Sequence, residues 1–115
     1  MTTETTVQLV QRQLEAYNAR DIDAFMACYA PDVWTEDLDG DRRLEGHAAV
    51  AAHYRALFAE NPRLRANLLD RISVGGYVVD EELVNGRTDG RTLHVAAVYR
   101  VVDGLIASVR FLREP

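Results

Sequence analysis

The chain contains one cysteine and no lysine, and it lacks any long apolar run. Cys28 alone cannot form a disulfide within the chain, which is typical of proteins from a reducing compartment. No stretch approaches the roughly 20 apolar residues of a membrane-spanning helix, so we expect no membrane insertion. The N-terminal residues 1–6 are polar and show no signal-peptide pattern, which favours a cytoplasmic location.

The chain also lacks a segment with charge of one sign. Its 13 basic residues are all arginine and are interspersed among 18 acidic residues, for a formal net charge of −5. Because nucleic-acid binding requires a clustered basic surface, this distribution argues against a DNA or RNA partner. The 48% apolar content of the 115 residues is typical of one packed globular domain, which we place at 1–115.

Several kinds of reactive motif are absent as well. No glycine-rich phosphate loop occurs, and no serine–histidine–aspartate or cysteine–histidine set is evident. The acidic run Asp80-Glu81-Glu82 lacks the histidines or the dense oxygen ligands of a metal site, so we predict no metal and no cofactor. We interpret this run as a solvated sheet edge, or as a cluster at a dimer rim that pairs with arginines of a partner.

Three segments carry apolar residues at spacings of three and four, which is typical of helices with one buried face. They predict helices at about Thr5–Ala19, Ile22–Tyr29 and His47–Glu60. Asp21 is a suitable N-cap for the second helix. Pro31 is expected to end that helix, because proline disfavours helical backbone in the residue before it.

A short strand, Val33–Leu38, follows the second helix. From Arg63 onward the apolar residues alternate with period two, which predicts four strands joined by turns at Gly75-Gly76, Asn85-Gly86 and Asp103-Gly104. We place these strands at about Leu64–Val74, Tyr77–Val84, Thr92–Val102 and Leu105–Arg113. Tight turns make them antiparallel, so we predict an α+β domain with helices on one face of a curved sheet.

The strand Thr92–Val102 is apolar on both of its faces. One face carries Leu93, Val95, Ala97 and Tyr99, and the other carries Ala96, Val98 and Val102. The helices cover one face of the sheet, and a second subunit is the simplest cover for the other. We therefore predict a homodimer through the sheet.

The pair Glu36-Asp37 is the strongest chemical signal in the sequence. Successive side chains of a strand point to opposite faces, so one of the two carboxylates is expected to point towards the apolar helices. Burial there raises a carboxyl pKa and makes the group a suitable base near neutral pH. One residue of register slip exchanges the faces. We favour Asp37 as the base; a solvated carboxylate, or one paired with Arg42 or Arg43, is the alternative.

The order of elements and four local motifs resemble the NTF2-like superfamily, which includes ketosteroid isomerases and SnoaL-type polyketide cyclases. The motifs are Tyr17–Phe25, Tyr29–Val33, Glu45–Val50 and Asp103–Phe111. The resemblance implies a cone of three N-terminal helices packed on a curved, mainly antiparallel mixed sheet around a hydrophobic pocket. This fold carries many unrelated activities. It leaves open an isomerase, a dehydratase or a cyclase, and also a non-catalytic ligand-binding or dimerisation module.

Within that superfamily, the segment Tyr29–Tyr54 is most similar to the bacterial ketosteroid isomerases. The similarity implies Asp37 as general base and Tyr29 and Tyr54 as pocket tyrosines. The implied ligand is a small apolar molecule that bears a carbonyl or a hydroxyl group, and no cofactor is needed for proton transfer beside such a group.

The two oxyanion donors of those isomerases are not matched in this chain. The donor tyrosine falls on Gln13, and the neutral aspartic acid falls on Ala97, or on Val98 if the register slips by one. Loss of one oxyanion donor typically lowers the rate by about 10²–10³. An efficient steroid isomerase is therefore not expected.

The remaining candidates are assigned by their expected positions around the pocket. Tyr54, Gln13 or His94 would polarise the substrate oxygen, and the face of the strand that carries His94 is a candidate for the cavity wall. The predicted ligand contacts are Gln13, Tyr17, Met26, Tyr29, Trp34, Phe58 and Phe111. For Trp34, Met26, Phe58 and Phe111, packing in the core is the alternative interpretation. For Gln13 it is a polar helix face, and for Tyr54 a half-buried packing tyrosine with its hydroxyl at the pocket rim. For His94 it is a satisfied core or interface histidine.

Overall fold

Three helices pack against a six-stranded sheet in the computed structural model, which describes residues 4–114. The helices are α1 (Thr6–Ala19), α2 (Ile22–Met26) and α3 (His47–Glu60). The strands are β1 (Tyr29–Asp37), β2 (Leu44–Glu45), β3 (Arg65–Val74), β4 (Tyr77–Asn85), β5 (Leu93–Val102) and β6 (Leu105–Arg113). Residues 1–3 and 115 lie outside the described residues. They belong to the predicted domain, and residues 1–3 are half of its polar N-terminal stretch.

The strands are ordered β2-β1-β6-β5-β4-β3 in the sheet. β1 runs parallel to β6, and all other neighbours are antiparallel. The predicted α+β architecture, with helices on one face of a mainly antiparallel mixed sheet, is confirmed. No helix within residues 4–114 combines the length and the apolar character needed to cross a lipid bilayer.

Helix α1 starts at a capping box. The Thr5 hydroxyl accepts a hydrogen bond from the Gln8 backbone N–H at 3.1 Å, and the Gln8 side chain accepts one from the Thr5 N–H at 2.8 Å. The buried face of the helix carries Leu9 and Val10, as the spacing predicts, but it also carries Gln13, which is 3% exposed. The helix therefore brings one amide side chain into the core.

The second helix is shorter, and the first strand longer, than predicted. α2 ends at Met26 and β1 begins at Tyr29, so Pro31 lies inside a strand and does not end the helix. Proline lacks a backbone N–H and is found in strands mainly at edges and irregularities. It is tolerated here because the pairing of β1 with β6 shifts register between Tyr29 and Trp34.

The Asn85-Gly86 pair does not form the predicted two-residue hairpin. β4 ends at Asn85, and a loop over residues 86–92 precedes β5. Gly86 has a φ of +75°, and a Cβ there would collide with the backbone carbonyl of Arg63. Glycine is needed here for close approach of two backbones as well as for its positive φ.

The core lies between the helices and the inner face of the sheet. Its largest feature is a cluster of five aromatic rings whose contacting pairs have centroids 4.7–6.3 Å apart. The cluster consists of Tyr17, Phe25, Tyr29, Tyr54 and Phe58. Tilted and edge-to-face contacts of this kind add to the stabilisation from burial alone.

The outer face of the sheet has no cover within residues 4–114. On β5, Val95, Ala97 and Tyr99 are buried against the helices, whereas the other face leaves Ala96 and Val98 half-buried. Large exposed apolar side chains of β3 to β6 include Leu69, Ile72, Val74, Tyr77, Val102 and Leu112. The homodimer through this face stays a prediction.

Candidate functional site

A cavity of about 650 Å³ lies among the helices and the inner face of the sheet. This volume is in the range that holds a small organic molecule. Its wall combines apolar side chains with many polar and charged side chains, contributed by helices α1 and α3, by the sheet and by its loops. The lining residues include Gln13, Tyr17, Asp37, Tyr54, Glu82 and Phe111.

Asp37 turns towards this cavity, on the same face of β1 as the buried Thr35. Its side chain is 16% exposed and accepts a hydrogen bond from Arg113 Nε at 2.9 Å. Arg42 Nε lies 3.6 Å from the second carboxylate oxygen. The carboxyl is thus held between two guanidinium groups, close to the alternative interpretation of a paired carboxylate, and its role as a base stays a prediction.

Glu36 occupies the opposite face of β1. Its carboxylate lies 2.8 Å from Arg43 Nη1 and 3.5 Å from Arg110 Nε. The Arg43 guanidinium also lies 4.4 Å from the ring centroid of Trp34. Trp34 shares this outer face, so contact with a ligand in the cavity is not expected of it.

Glu82 is a cavity carboxyl that the sequence interpretation misplaced. It lies on β4 between Leu68 of β3 and Val95 of β5, and only 6% of its surface is exposed. Burial raises its pKa to about 7, the nearby Asp80 carboxylate adds to the rise, and Arg71 opposes it. A carboxyl with this pKa exchanges a proton readily near neutral pH, as a general acid–base group must.

The raised pKa of Glu82 also links folding to pH. Folding raises the value above the ordinary 4.5, so the folded chain binds more protons between these two values. The resulting stabilisation is fully present below pH 4.5 and is lost as the pH rises through about 7. The cavity therefore carries a carboxyl whose burial destabilises the fold in its ionised form.

Asp80 and Glu82 correct the prediction of a solvated edge or dimer-rim cluster. Strand alternation turns both side chains inward and leaves only Glu81 on the outer face. Asp80 is fully buried and accepts hydrogen bonds from Arg71 Nε at 2.6 Å and Nη2 at 2.9 Å. The partner arginine therefore comes from the neighbouring strand of the same chain.

Gln13 lines the cavity and holds two buried tyrosines, of which Tyr99 also lines the cavity and Tyr29 lies behind the lining. Its Oε1 accepts hydrogen bonds from the hydroxyls of Tyr29 at 2.9 Å and Tyr99 at 3.4 Å, while its Nε2 donates to the Val10 carbonyl at 3.2 Å. Burial raises the pKa of both tyrosines well above its ordinary value, so both are neutral donors. Tyr99 was not among the site residues predicted from the sequence. The side-chain oxygen of Gln13 is already occupied by the two tyrosine hydroxyls, so Gln13 orients these tyrosines.

Tyr54 lines the cavity, and no hydrogen bond joins its hydroxyl to another side chain of residues 4–114. Burial raises its pKa to about 12, against the opposing charge of Arg113. The His53 ring lies edge-on to it at a centroid distance of 5.1 Å. Burial and Arg113 together lower the pKa of His53, which favours a neutral imidazole. Tyr54 is therefore an available hydrogen-bond donor.

His94 projects from the outer face of β5, opposite to the face that lines the cavity. Its Nε2 lies 2.7 Å from Glu81 Oε2, and its Nδ1 lies 3.6 Å from Glu114 Oε1. The hydrogen bond to Glu81 and the second carboxylate raise its pKa. The residue reaches only the cavity rim, so polarisation of a substrate oxygen inside the cavity is not expected of it.

The predicted ligand contacts divide into two groups. Gln13, Tyr17 and Phe111 line the cavity. Met26, Tyr29 and Phe58 are buried and lie outside its lining. These three residues belong to the core that supports the wall, which is the alternative interpretation for Met26 and Phe58 and a correction for Tyr29.

Comparison with known proteins places these features in context. Residues 10–109 match the family model of the SnoaL-like domain. The structure of an uncharacterised cystatin-fold protein from Novosphingobium aromaticivorans has a TM-score of 0.89 at 29% identity, and the match covers 96% of this chain and 100% of that chain. No curated protein matches the chain.

Two further solved structures carry names that refer to an activity. A proposed ketosteroid isomerase from Kribbella flavida has a TM-score of 0.83 at 23% identity, with 98% of this chain and 80% of that chain covered. A proposed polyketide cyclase from Sinorhizobium meliloti has a TM-score of 0.80 at 22% identity, with 94% and 99% covered. At these identities the likeness is one of fold alone.

Proposed function

The chain belongs to the SnoaL-like domain family, and we propose that its cavity catalyses cofactor-independent proton transfer on a small carbonyl compound, with Glu82 as the acid–base group. The observation that carries this proposal is a buried carboxyl with a pKa of about 7 facing a cavity that also contains a tyrosine hydroxyl donor. The reaction is an isomerisation, a dehydration or a cyclisation.

The proposed chemistry uses two side chains in sequence. The Glu82 carboxylate removes a proton from the carbon next to the substrate carbonyl, and the Tyr54 hydroxyl donates a hydrogen bond to the carbonyl oxygen as negative charge develops there. The raised pKa of Tyr54 keeps it a hydrogen-bond donor and prevents full transfer of its proton. The protonated Glu82 then returns the proton to a second carbon for isomerisation, or to a leaving hydroxyl for dehydration.

Asp37 has a different role in this proposal from the one that the sequence suggests. Its oxygens are engaged by Arg113 at 2.9 Å and lie near Arg42 at 3.6 Å, whereas no hydrogen bond contributes to the pKa of Glu82. Asp37 therefore orients Arg42 and Arg113, and we call the part of the cavity formed by these three residues the cavity mouth. Glu82 moves the proton.

A second candidate function is a non-catalytic ligand-binding module. One observation favours it: the hydroxyls of Tyr29 and Tyr99 point at Gln13 and not at a ligand. An oxyanion formed in the cavity would then depend on Tyr54, and each missing donor typically lowers a rate by about 10²–10³.

The exchange of α-protons in deuterium oxide tests the proposed function without knowledge of the natural substrate. We expect the protein to exchange the α-protons of β,γ-unsaturated cyclic ketones, and to shift the double bond into conjugation, faster than buffer or heat-unfolded protein does. Proton NMR follows the exchange, and ultraviolet absorbance follows the conjugated product. Saturable binding in a calorimeter without any exchange would contradict catalysis and favour the binding module.

A further inference from the structure

Arginines outnumber carboxylates in the lining of the cavity, although the chain as a whole is acidic. The formal net charge of the chain is −5. The lining contains the five arginines Arg42, Arg43, Arg87, Arg91 and Arg113 against the three carboxylates Asp37, Glu82 and Glu114. Arg43 is compensated by two carboxylates outside the lining, Glu36 at 2.8 Å and Glu45 at 2.6 Å, so uncompensated positive charge must come from the other arginines. A cleft lined by an excess of one charge concentrates ligands of the opposite charge.

Arg113 is held in place with part of its guanidinium unused. Its Nε donates to Asp37 at 2.9 Å, and its Cζ lies 4.6 Å from the ring centroid of Phe111. No described residue accepts a hydrogen bond from its two Nη groups. Arg113 lines the cavity together with His53 and Tyr54 of α3, and its charge helps to lower the pKa of His53 and opposes the rise in the pKa of Tyr54. The free end of a guanidinium fits a carboxylate in a bidentate manner.

Positive charge at the mouth is not fully compensated within the described residues. Arg42 and Arg113 share the single carboxylate of Asp37, so one positive charge remains. Arg91 lies on the 86–92 loop, lines the cavity and forms no ion pair within residues 4–114. Arg87, by contrast, is paired with Asp89 at 2.9 Å.

We propose that the cavity mouth binds a carboxylate, so that the ligand is a small keto acid anchored by Arg113 and Arg42, with its carbonyl directed inward to Tyr54 and Glu82. This inference deepens the proposed function and rests on it for the position of the carbonyl. The binding of the anion itself does not depend on turnover. Asp37 is then a positioning residue, because it fixes the direction of the Arg113 guanidinium.

Levulinate and its methyl ester are a matched pair of probes for this site, since they differ only in the charged group. We expect wild-type protein to bind levulinate about tenfold to a hundredfold more tightly than the ester at low ionic strength. Arg113→Gln should remove this preference, whereas Arg55→Gln should retain it, because Arg55 is exposed on α3 and outside the cavity lining. Isothermal titration calorimetry measures the affinities.

Equal affinity of wild-type protein for acid and ester would overturn the carboxylate site, and this comparison needs no variant to fold. Tighter binding of inorganic phosphate than of levulinate would overturn it in favour of a phosphate ligand. The two proposals also fail separately. Preferential binding of levulinate without α-proton exchange would support the carboxylate site and contradict the proposed catalysis. Exchange without a preference for the acid over the ester would support catalysis and contradict the carboxylate site.

Discussion

Glu82→Gln is expected to lower the rate of α-proton exchange by about 10²–10⁴, because glutamine has nearly the shape of glutamate but cannot accept the proton. The substitution removes a buried group whose ionised form is unfavourable, so the fold should be retained. Exchange rates in deuterium oxide, measured by proton NMR on ketones that wild-type protein turns over, give the effect directly.

Asp37→Asn is the matched control for that experiment, since it also neutralises a cavity carboxyl by one isosteric change. We expect it to keep most of the maximal rate. With a keto acid its effect should fall on KM, because it disturbs the arginine that holds the anion. If Asp37→Asn abolished exchange while Glu82→Gln retained it, the proton would have to be moved by Asp37, as the sequence alone suggests.

Arg71→Met is expected to destabilise the protein by about 3–5 kcal/mol, the usual cost of leaving a buried charge without its partner. Asp80 is fully buried, and both of its oxygens accept hydrogen bonds from Arg71. Without that guanidinium the carboxylate would be either ionised without a counter-ion or protonated at a free-energy cost. Urea unfolding near neutral pH measures the loss.

Two controls separate the loss of this pair from a general effect of the substitution. Arg100→Met, at an exposed position of β5, should change the unfolding free energy by no more than about 0.5 kcal/mol. The double variant Arg71→Met/Asp80→Leu should recover most of the stability, since it removes both charges from the interior. A double variant no more stable than Arg71→Met would show that the pair is not what the single variant disrupts.

Periodicity predicted the elements well where a single physical rule applies. The bounds of α3 and β6 match the prediction. α3 begins after Gly46 and ends before Asn61-Pro62, and β6 begins after the Asp103-Gly104 turn. The boundary of α2 was wrong because Pro31 is compatible both with a helix end and with an irregular strand. The sequence gives no local signal that separates these two cases.

The buried carboxyls of β4 follow from a pattern that the sequence does contain. Val78, Asp80, Glu82 and Val84 alternate along one face, and the apolar ends of this row indicate that its middle is buried too. The Gly75-Gly76 turn pairs Val74 with Tyr77, and continuing that register sets Arg71 opposite Asp80. Three consecutive acidic residues were interpreted as a solvated surface, although strand alternation separates the central one from its neighbours.

The sequence did not predict that Arg113 is the partner of Asp37. Alternation correctly allowed one member of Glu36-Asp37 to face the cavity, but it did not identify Arg113 as its partner. Arg113 comes from the end of β6, and the parallel register that pairs Asp37 with Phe111 brings that end of β6 to the cavity mouth. A long-range register of this kind has no local signature in the sequence.

The most direct test of a proton-transfer cavity is the titration of the Glu82 side chain itself. Isotope-labelled glutamate carboxyl carbons can be followed by NMR across the pH range, and Glu82→Gln identifies the resonance by its disappearance. We expect this resonance to titrate with a midpoint close to 7, above the ordinary value of 4.5. A midpoint near 4.5 would mean that the carboxyl is ionised and solvated like a surface glutamate, which would contradict proton transfer by Glu82.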